Sequence, residues 1–176
     1  MAGRKGLHTM SEAPSGSEDS PQVENFACHA GLEPKKSAEG AGNDAISPDQ
    51  ADVYAWYTTG MKLLGKGSPA AAAQVLQRAA NAEPASRSVR EALARAQFDT
   101  GRYAEAADNF RVIVEASPSD DYANFGLGLA LARTGDHEAA VEYLALAAAM
   151  RPDRKPYTDA LREVRATLRA RKPTAE

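Results

Sequence analysis

From Arg87 to Pro118 the apolar residues fall at helical spacing in two short blocks, RSVREALARAQFD and YAEAADNFRVIVEA, separated by Thr100-Gly101-Arg102. That pattern predicts two amphipathic helices joined by a tight turn, with Pro118 ending the second. The same landmarks recur on either side. Pro84, Pro118 and Pro152 lie 34 residues apart, and so do Gly67, Gly101 and Gly135. Ala72, Ala106 and Ala140 keep the interval, as do the bulky Leu76, Phe110 and Leu144 and the smaller Ala79, Ile113 and Ala147. Five columns in phase, without an insertion, define a stack of three helix-turn-helix units.

Local chemistry accounts for the columns. Gly60, Ala94 and Gly128 fall midway along the first helix of each unit, and Ala72, Ala106 and Ala140 open the inner face of the second. Small side chains there let antiparallel helices approach closely, where leucine would overpack. Glycine within a helix costs about 1 kcal/mol against alanine, so close approach is the better reason for it. Gly67, Gly101 and Gly135 stand where a helix ends and the chain needs a left-handed residue. Ser47-Pro48 and Ser68-Pro69 place a capping hydroxyl before a proline suited to the first helical position, and Gln50 completes a capping box with Ser47. After Pro152 one helix remains, about Lys155 to Arg171, with Tyr157, Leu161, Val164 and Leu168 on one face and Arg162, Arg165 and Arg169 around the other. A single amphipathic helix with a polar outer face closes such a stack.

Residues 1–46 contrast with this. They are rich in Gly, Ser, Pro, Glu and Lys, acidic overall and without sustained periodicity, so they read as a disordered acidic tail. Within them Val23, Phe26, Ala27, Cys28, Ala30 and Leu32 form a less polar island, either a chance cluster or a short motif that docks on a partner or on the chain's own groove. Met10 could serve as initiator. Residues 172–176 read as a second disordered end. The units fall at about 53–86, 87–120 and 121–154, giving an array over 47–154 and a capping helix over 155–171.

Composition narrows the function. Hydrophobic residues make up 43% of the 176, enough for a core, while aromatics are only 6%, which suits helices packed through alanine. A net charge of −3 gives no reason to expect nucleic acid or an anionic membrane as partner. The lone cysteine excludes an intramolecular disulfide and fits a reducing compartment, and no apolar run reaches the length of a membrane span or a secretory signal. The expectation is a cytoplasmic protein, and its alanine- and arginine-rich composition points to a bacterial one. Cys28-His29, His8 and His137 do not make a metal set. No Gly-rich phosphate loop or nucleophile-base-acid set is present, so neither an enzyme nor a cofactor is expected. Asp120-Asp121 read as helix-start charges, and His137 as a surface residue.

The residues Trp56…Gly60, Leu93-Ala94…Gly101-Arg102-Tyr103…Ala106…Phe110…Ile113…Pro118 and Leu127-Gly128…Gly135…Ala140…Leu144…Ala147…Pro152 resemble the tetratricopeptide repeat. The resemblance covers about 100 residues. It implies an all-α fold, a right-handed α-solenoid of three helix-turn-helix repeats plus a C-terminal capping helix, whose first helices line a concave groove that holds a peptide or helix of another protein. The sequence departs from the family pattern at Thr59, where a large aliphatic is usual, and at Arg90 and Asn124, which stand in the column of Trp56. These departures cast doubt on the tightness of individual joints.

Helical phase then assigns the groove. Tyr54, Tyr57, Met61 and Leu64 face it from the first unit, Glu91, Arg95 and Phe98 from the second, and Tyr122, Phe125, Leu129 and Arg133 from the third, with Asp159 and Glu163 of the cap beside them. Aromatic, methionine and arginine side chains are those enriched in binding hot spots. Repeat proteins of this family that hold the acidic C-termini of heat-shock chaperones use a clamp of Lys, Asn and Arg. The matching positions here are Tyr57, Met61, Ala92, Tyr122 and Gly126, none of which offers a charged donor to a carboxylate. The expectation is an adaptor binding a partner peptide or helix. The alternative is self-association through the repeat surface, with the tail regulating the groove.

Overall fold

A computed structural model describes residues 48–171. The tail with its Val23–Leu32 island, Met10, the Ser47 cap and residues 172–176 lie outside the described residues. Among the described residues there are seven helices and no strand: α1 Pro48–Gly65, α2 Pro69–Ala82, α3 Arg87–Asp99, α4 Tyr103–Ala116, α5 Asp121–Thr134, α6 His137–Met150 and α7 Lys155–Arg171. None of them is long and apolar enough to cross a membrane.

Each turn within a unit is built the same way. Gly67, Gly101 and Gly135 have φ of 71°, 78° and 94°, a left-handed backbone that glycine adopts without penalty. The residue after each of them donates its amide back to the preceding helix, Ser68 to Leu63, Arg102 to Gln97 and Asp136 to Leu131, at 2.9 to 3.0 Å. Carbonyls left open at the helix ends are thereby satisfied. Ser68 departs from expectation: it occupies the N-cap of α2 but makes no side-chain cap bond. Asp120 and Asp136 do cap, accepting from the amides of Tyr122 and Ala123 and of Ala139.

Successive helices pack antiparallel, and the first helices α1, α3, α5 and α7 also touch one another in order, whereas α2, α4 and α6 do not. A stack whose members meet along one edge and splay along the other must curve, with the first helices on the inside. The column Leu76, Phe110 and Leu144 is fully buried at the centre of the units. A methyl group on Gly60 would sit 2.5 Å from Leu76, and one on Gly128 would sit 2.7 Å from Leu144, so the glycines do mark close approach. The middle unit carries Ala94 and the larger Phe110 instead. The extra reach of that ring is accommodated at Gly126, where a methyl would come within 2.5 Å of Phe110 Cζ.

The polar residues in the Trp56 column tighten their joints rather than loosening them. Arg90 donates to the Pro84 carbonyl at 2.6 Å and to Asn109 at 3.0 Å. Asn124, fully buried, donates to the Pro118 carbonyl at 3.0 Å and to the Asp120 carbonyl at 2.8 Å. Each therefore ties down the proline turn six residues before it. Beside Arg90 a chain of bonds continues through Asn109 to buried Gln97 and on to Glu105. Asn124 ties its joint through the amide nitrogen alone, its Oδ1 being buried without a hydrogen-bond partner.

Candidate functional site

The inner wall is defined by α1, α3 and α5, and α7 closes its far end. Tyr54 stands 69% exposed near the start of α1, with Tyr57 and Met61 half-buried one and two turns further on. From α3 come half-buried Glu91 and Arg95. Arg133 stands exposed in the last turn of α5.

Electrostatics shows that residues from three helices meet there. Burial raises the Tyr57 hydroxyl above the ordinary phenol range, with Glu91 pushing the same way and Arg95 opposing. Burial also raises Tyr122, much more strongly; Arg95 again opposes and Glu91, Tyr157 and Asp99 add to the rise. Both hydroxyls therefore keep their protons at neutral pH. One arginine thus acts on a tyrosine from each neighbouring unit. Its Nε is buried without a hydrogen-bond partner, a donor left over in a wall of mixed aromatic and aliphatic character.

The other assigned wall residues are placed differently. Phe125 is fully buried, its ring stacked on Tyr157 of α7 with centroids 4.3 Å apart and planes 22° from parallel. The Tyr157 hydroxyl donates to Asp121 at 3.0 Å, and Arg154 lies 5.7 Å from the ring centroid. Phe125 therefore belongs to the joint between the third unit and the cap and offers no surface to a partner. Leu64, Phe98, Tyr122 and Leu129 are also buried, Phe98 meeting Tyr103 edge-on at 5.1 Å and Tyr122 meeting Phe110 at 6.2 Å. Helical phase alone could not separate these two groups, because a side chain that points inward reaches either the groove or the next unit's first helix. The accessible surface is thus the half of the wall nearer α1, with Arg133 at its rim. Asp159 of the cap is engaged by Arg162 at 2.9 Å.

Two residues that sequence reasoning undervalued hold this wall in place. Asp120, buried at the start of α5, forms an ion pair with Arg87 at the start of α3. Gly126 points at Phe110 rather than into the groove, so it can host no clamp residue. The available signal for the first was that Asp120 stands at a unit boundary one period after Ser86, which precedes Arg87. His137 lies at the opening of α6 with Nδ1 2.7 Å from the Gly135 carbonyl, and Asp121 serves as the acceptor for Tyr157. No group of three His, Cys, Asp or Glu placed to hold a metal occurs among the described residues.

An all-α solenoid with first helices inside and a closing helix defines the class of protein. Two family models, both described as tetratricopeptide repeat, match residues 57–121 and 98–164. The chain belongs to the tetratricopeptide repeat family. No curated protein matches it. Solved structures with the same fold include the first TPR of Spaghetti (RPAP3) bound to the HSP90 peptide SRMEEVD, at 19% identity over 71% of this chain and 98% of that one, with a TM-score of 0.63. The Sgt2 TPR domain from Aspergillus fumigatus is similar at 17% identity, 78% and 93% coverage and a TM-score of 0.62. YrrB, described as a TPR protein with an unusual peptide-binding site, is similar at 25% identity, 62% and 56% coverage and a TM-score of 0.59.

Proposed function

We propose that this chain is a non-catalytic interaction module that receives an apolar helix or extended segment of another protein on the accessible half of its inner wall. The observation that carries this reading is the meeting of half-buried Tyr57 of α1 with half-buried Glu91 and Arg95 of α3, with exposed Tyr54 and half-buried Met61 beside them. Peptide-bound relatives such as the Spaghetti structure support a protein as the partner class. The acidic end of that peptide is not the chemistry we assign here. Of the clamp-matching positions Ala92 is buried and Gly126 faces Phe110, and Tyr57, Met61 and Tyr122 are uncharged at neutral pH. A reducing compartment fits the single cysteine, and the cytoplasm is the location we assign.

The test is recovery of the protein that co-purifies with the tagged chain from its own cell, repeated with Tyr57→Ala, Arg95→Ala and Arg133→Ala variants of unchanged helical content. At least tenfold lower recovery is expected for the first two, since hot-spot truncations of aromatic and arginine anchors cost about 2 kcal/mol or more. Undiminished recovery by all three folded variants refutes the site. A second reading, self-association through the outer face, is favoured by Val112 and Leu146, which occupy equivalent positions on α4 and α6 and are 44% and 52% exposed. Light scattering over a concentration series distinguishes it, because only self-association raises the mass with concentration.

A further inference from the structure

We propose that residues 21–31 of this chain bind the accessible half of the groove, between Tyr57 of α1 and Arg95 of α3, as a short amphipathic helix that an outside partner must displace. This rests on the groove reading above and names the groove's first occupant. Val23, Phe26, Ala27 and Ala30 follow an i, i+3, i+4, i+7 pattern, the anchor spacing of a helix laid in a groove. Pro21 suits the first position of such a helix, as Pro69 does at the opening of α2, and Gly31 stands where it would end. The stripe of one phenylalanine, one valine and two alanines is slender enough for a wall already half filled by Leu64, Phe98, Tyr122 and Leu129.

Charge and reach agree with this occupant. Between Lys5 and Lys35 the chain carries Glu12, Glu18, Asp19, Glu24 and Glu33 and neither lysine nor arginine. The wall offers the guanidinium of half-buried Arg95, with exposed Arg133 and Lys62 in the last turns of α5 and α1, against the carboxylate of Glu91. The linker between residue 31 and Pro48 spans about 22 Å as a relaxed coil, taking ~5–6 Å times the square root of its length. Tyr57 lies about 14 Å along α1 from Pro48 at ~1.5 Å per residue. The segment therefore reaches the wall without stretching, and a short tether of this kind gives an effective concentration on the order of 1 mM. A segment whose free-peptide Kd is about 0.1 mM would then fill the groove about nine-tenths of the time.

Cys28, the chain's single cysteine, gives a test on the full-length protein. At ~100° per residue it lies about 140° around the helix from Val23, away from the apolar stripe, so a nitroxide attached there would not block docking. Paramagnetic broadening of the backbone amides is measured against the reduced label. Selective broadening of Tyr57, Met61 and Arg95 is expected, independent of protein concentration, and lost in Phe26→Asp. That variant keeps its helical content and melts only a few degrees lower, because the docked segment no longer stabilises the folded state. Broadening that is absent, spread evenly over the helices, or retained in Phe26→Asp overturns the proposal. So does its transfer to isotope-labelled Cys28→Ser protein mixed with spin-labelled chain, which would assign the segment to a second copy. These outcomes are read without any partner, so they stand apart from the recovery experiment that tests the groove itself.

Discussion

Gly126→Ala puts the packing between the second and third units to a quantitative test. The added methyl would lie 2.5 Å from Phe110 Cζ and 2.7 Å from both Cε atoms, where carbon pairs rest at about 3.5–4.0 Å. Phe110 is fully buried with Tyr122 edge-on beside it, so the ring has no free volume to swing into. Helices α4 and α5 must part by about 1 Å, an overpacking cost of ~1–3 kcal/mol. Helix propensity returns ~1 kcal/mol, leaving a net loss of about 1 kcal/mol. Gly65→Ala is the control, because nothing lies within 4 Å of its added methyl; it should be neutral or stabilise by a few tenths of a kcal/mol. Phe110→Leu restores the side chain found at positions 76 and 144 and should cost about 1–2 kcal/mol alone. In that background Gly126→Ala should become stabilising by up to ~1 kcal/mol, giving a coupling of about 2 kcal/mol in a double-mutant cycle. Urea unfolding of the four proteins measures it. Additive effects, or a Gly126→Ala protein as stable as Gly65→Ala, would refute the account of how Phe110 reaches across the unit boundary.

Other expectations follow from the joints and turns. Tyr157→Ala should cost ~3–5 kcal/mol as the stack on Phe125 is lost, and Tyr157→Phe about 1.5 kcal/mol for the bond to Asp121, both read by denaturant unfolding. Burial raises the Tyr122 and Tyr157 hydroxyls, so the folded chain keeps protons that the unfolded chain releases above about pH 10. Stability should be full below that pH and then fall by about 1.4 kcal/mol per pH unit for each tyrosine, a slope that Tyr157→Phe reduces by that amount. Asp120→Ala should lose about 1–2 kcal/mol through the α5 cap and the pair with half-exposed Arg87, while Arg87→Ala alone should lose less than 1 kcal/mol. Gly101→Ala should lose ~1–2 kcal/mol, because its φ of 78° strains any residue with a Cβ.

The sequence by itself determined the units, their turns and the closing helix. Those are local matters: a proline that stops a helix, a glycine that turns left-handed, an apolar stripe at helical spacing. They recur every 34 residues because each unit solves the same packing problem. Helical phase also nominated the side chains proposed for the inner wall. Tertiary structure alone decided which of those inward residues remain reachable. Phe125 and Tyr57 occupy the same place in their units, yet one is stacked under Tyr157 and the other is half open. The difference arises because each first helix is covered by the one that follows, and α7 brings Tyr157 onto Phe125 where α3 offers Tyr57 only the smaller Val89 at the matching position. Likewise the fit of Gly126 to Phe110, and the rescue of the Trp56 column by the Pro84 and Pro118 carbonyls, depend on distances between chain segments. No periodicity along a single strand of letters carries those distances.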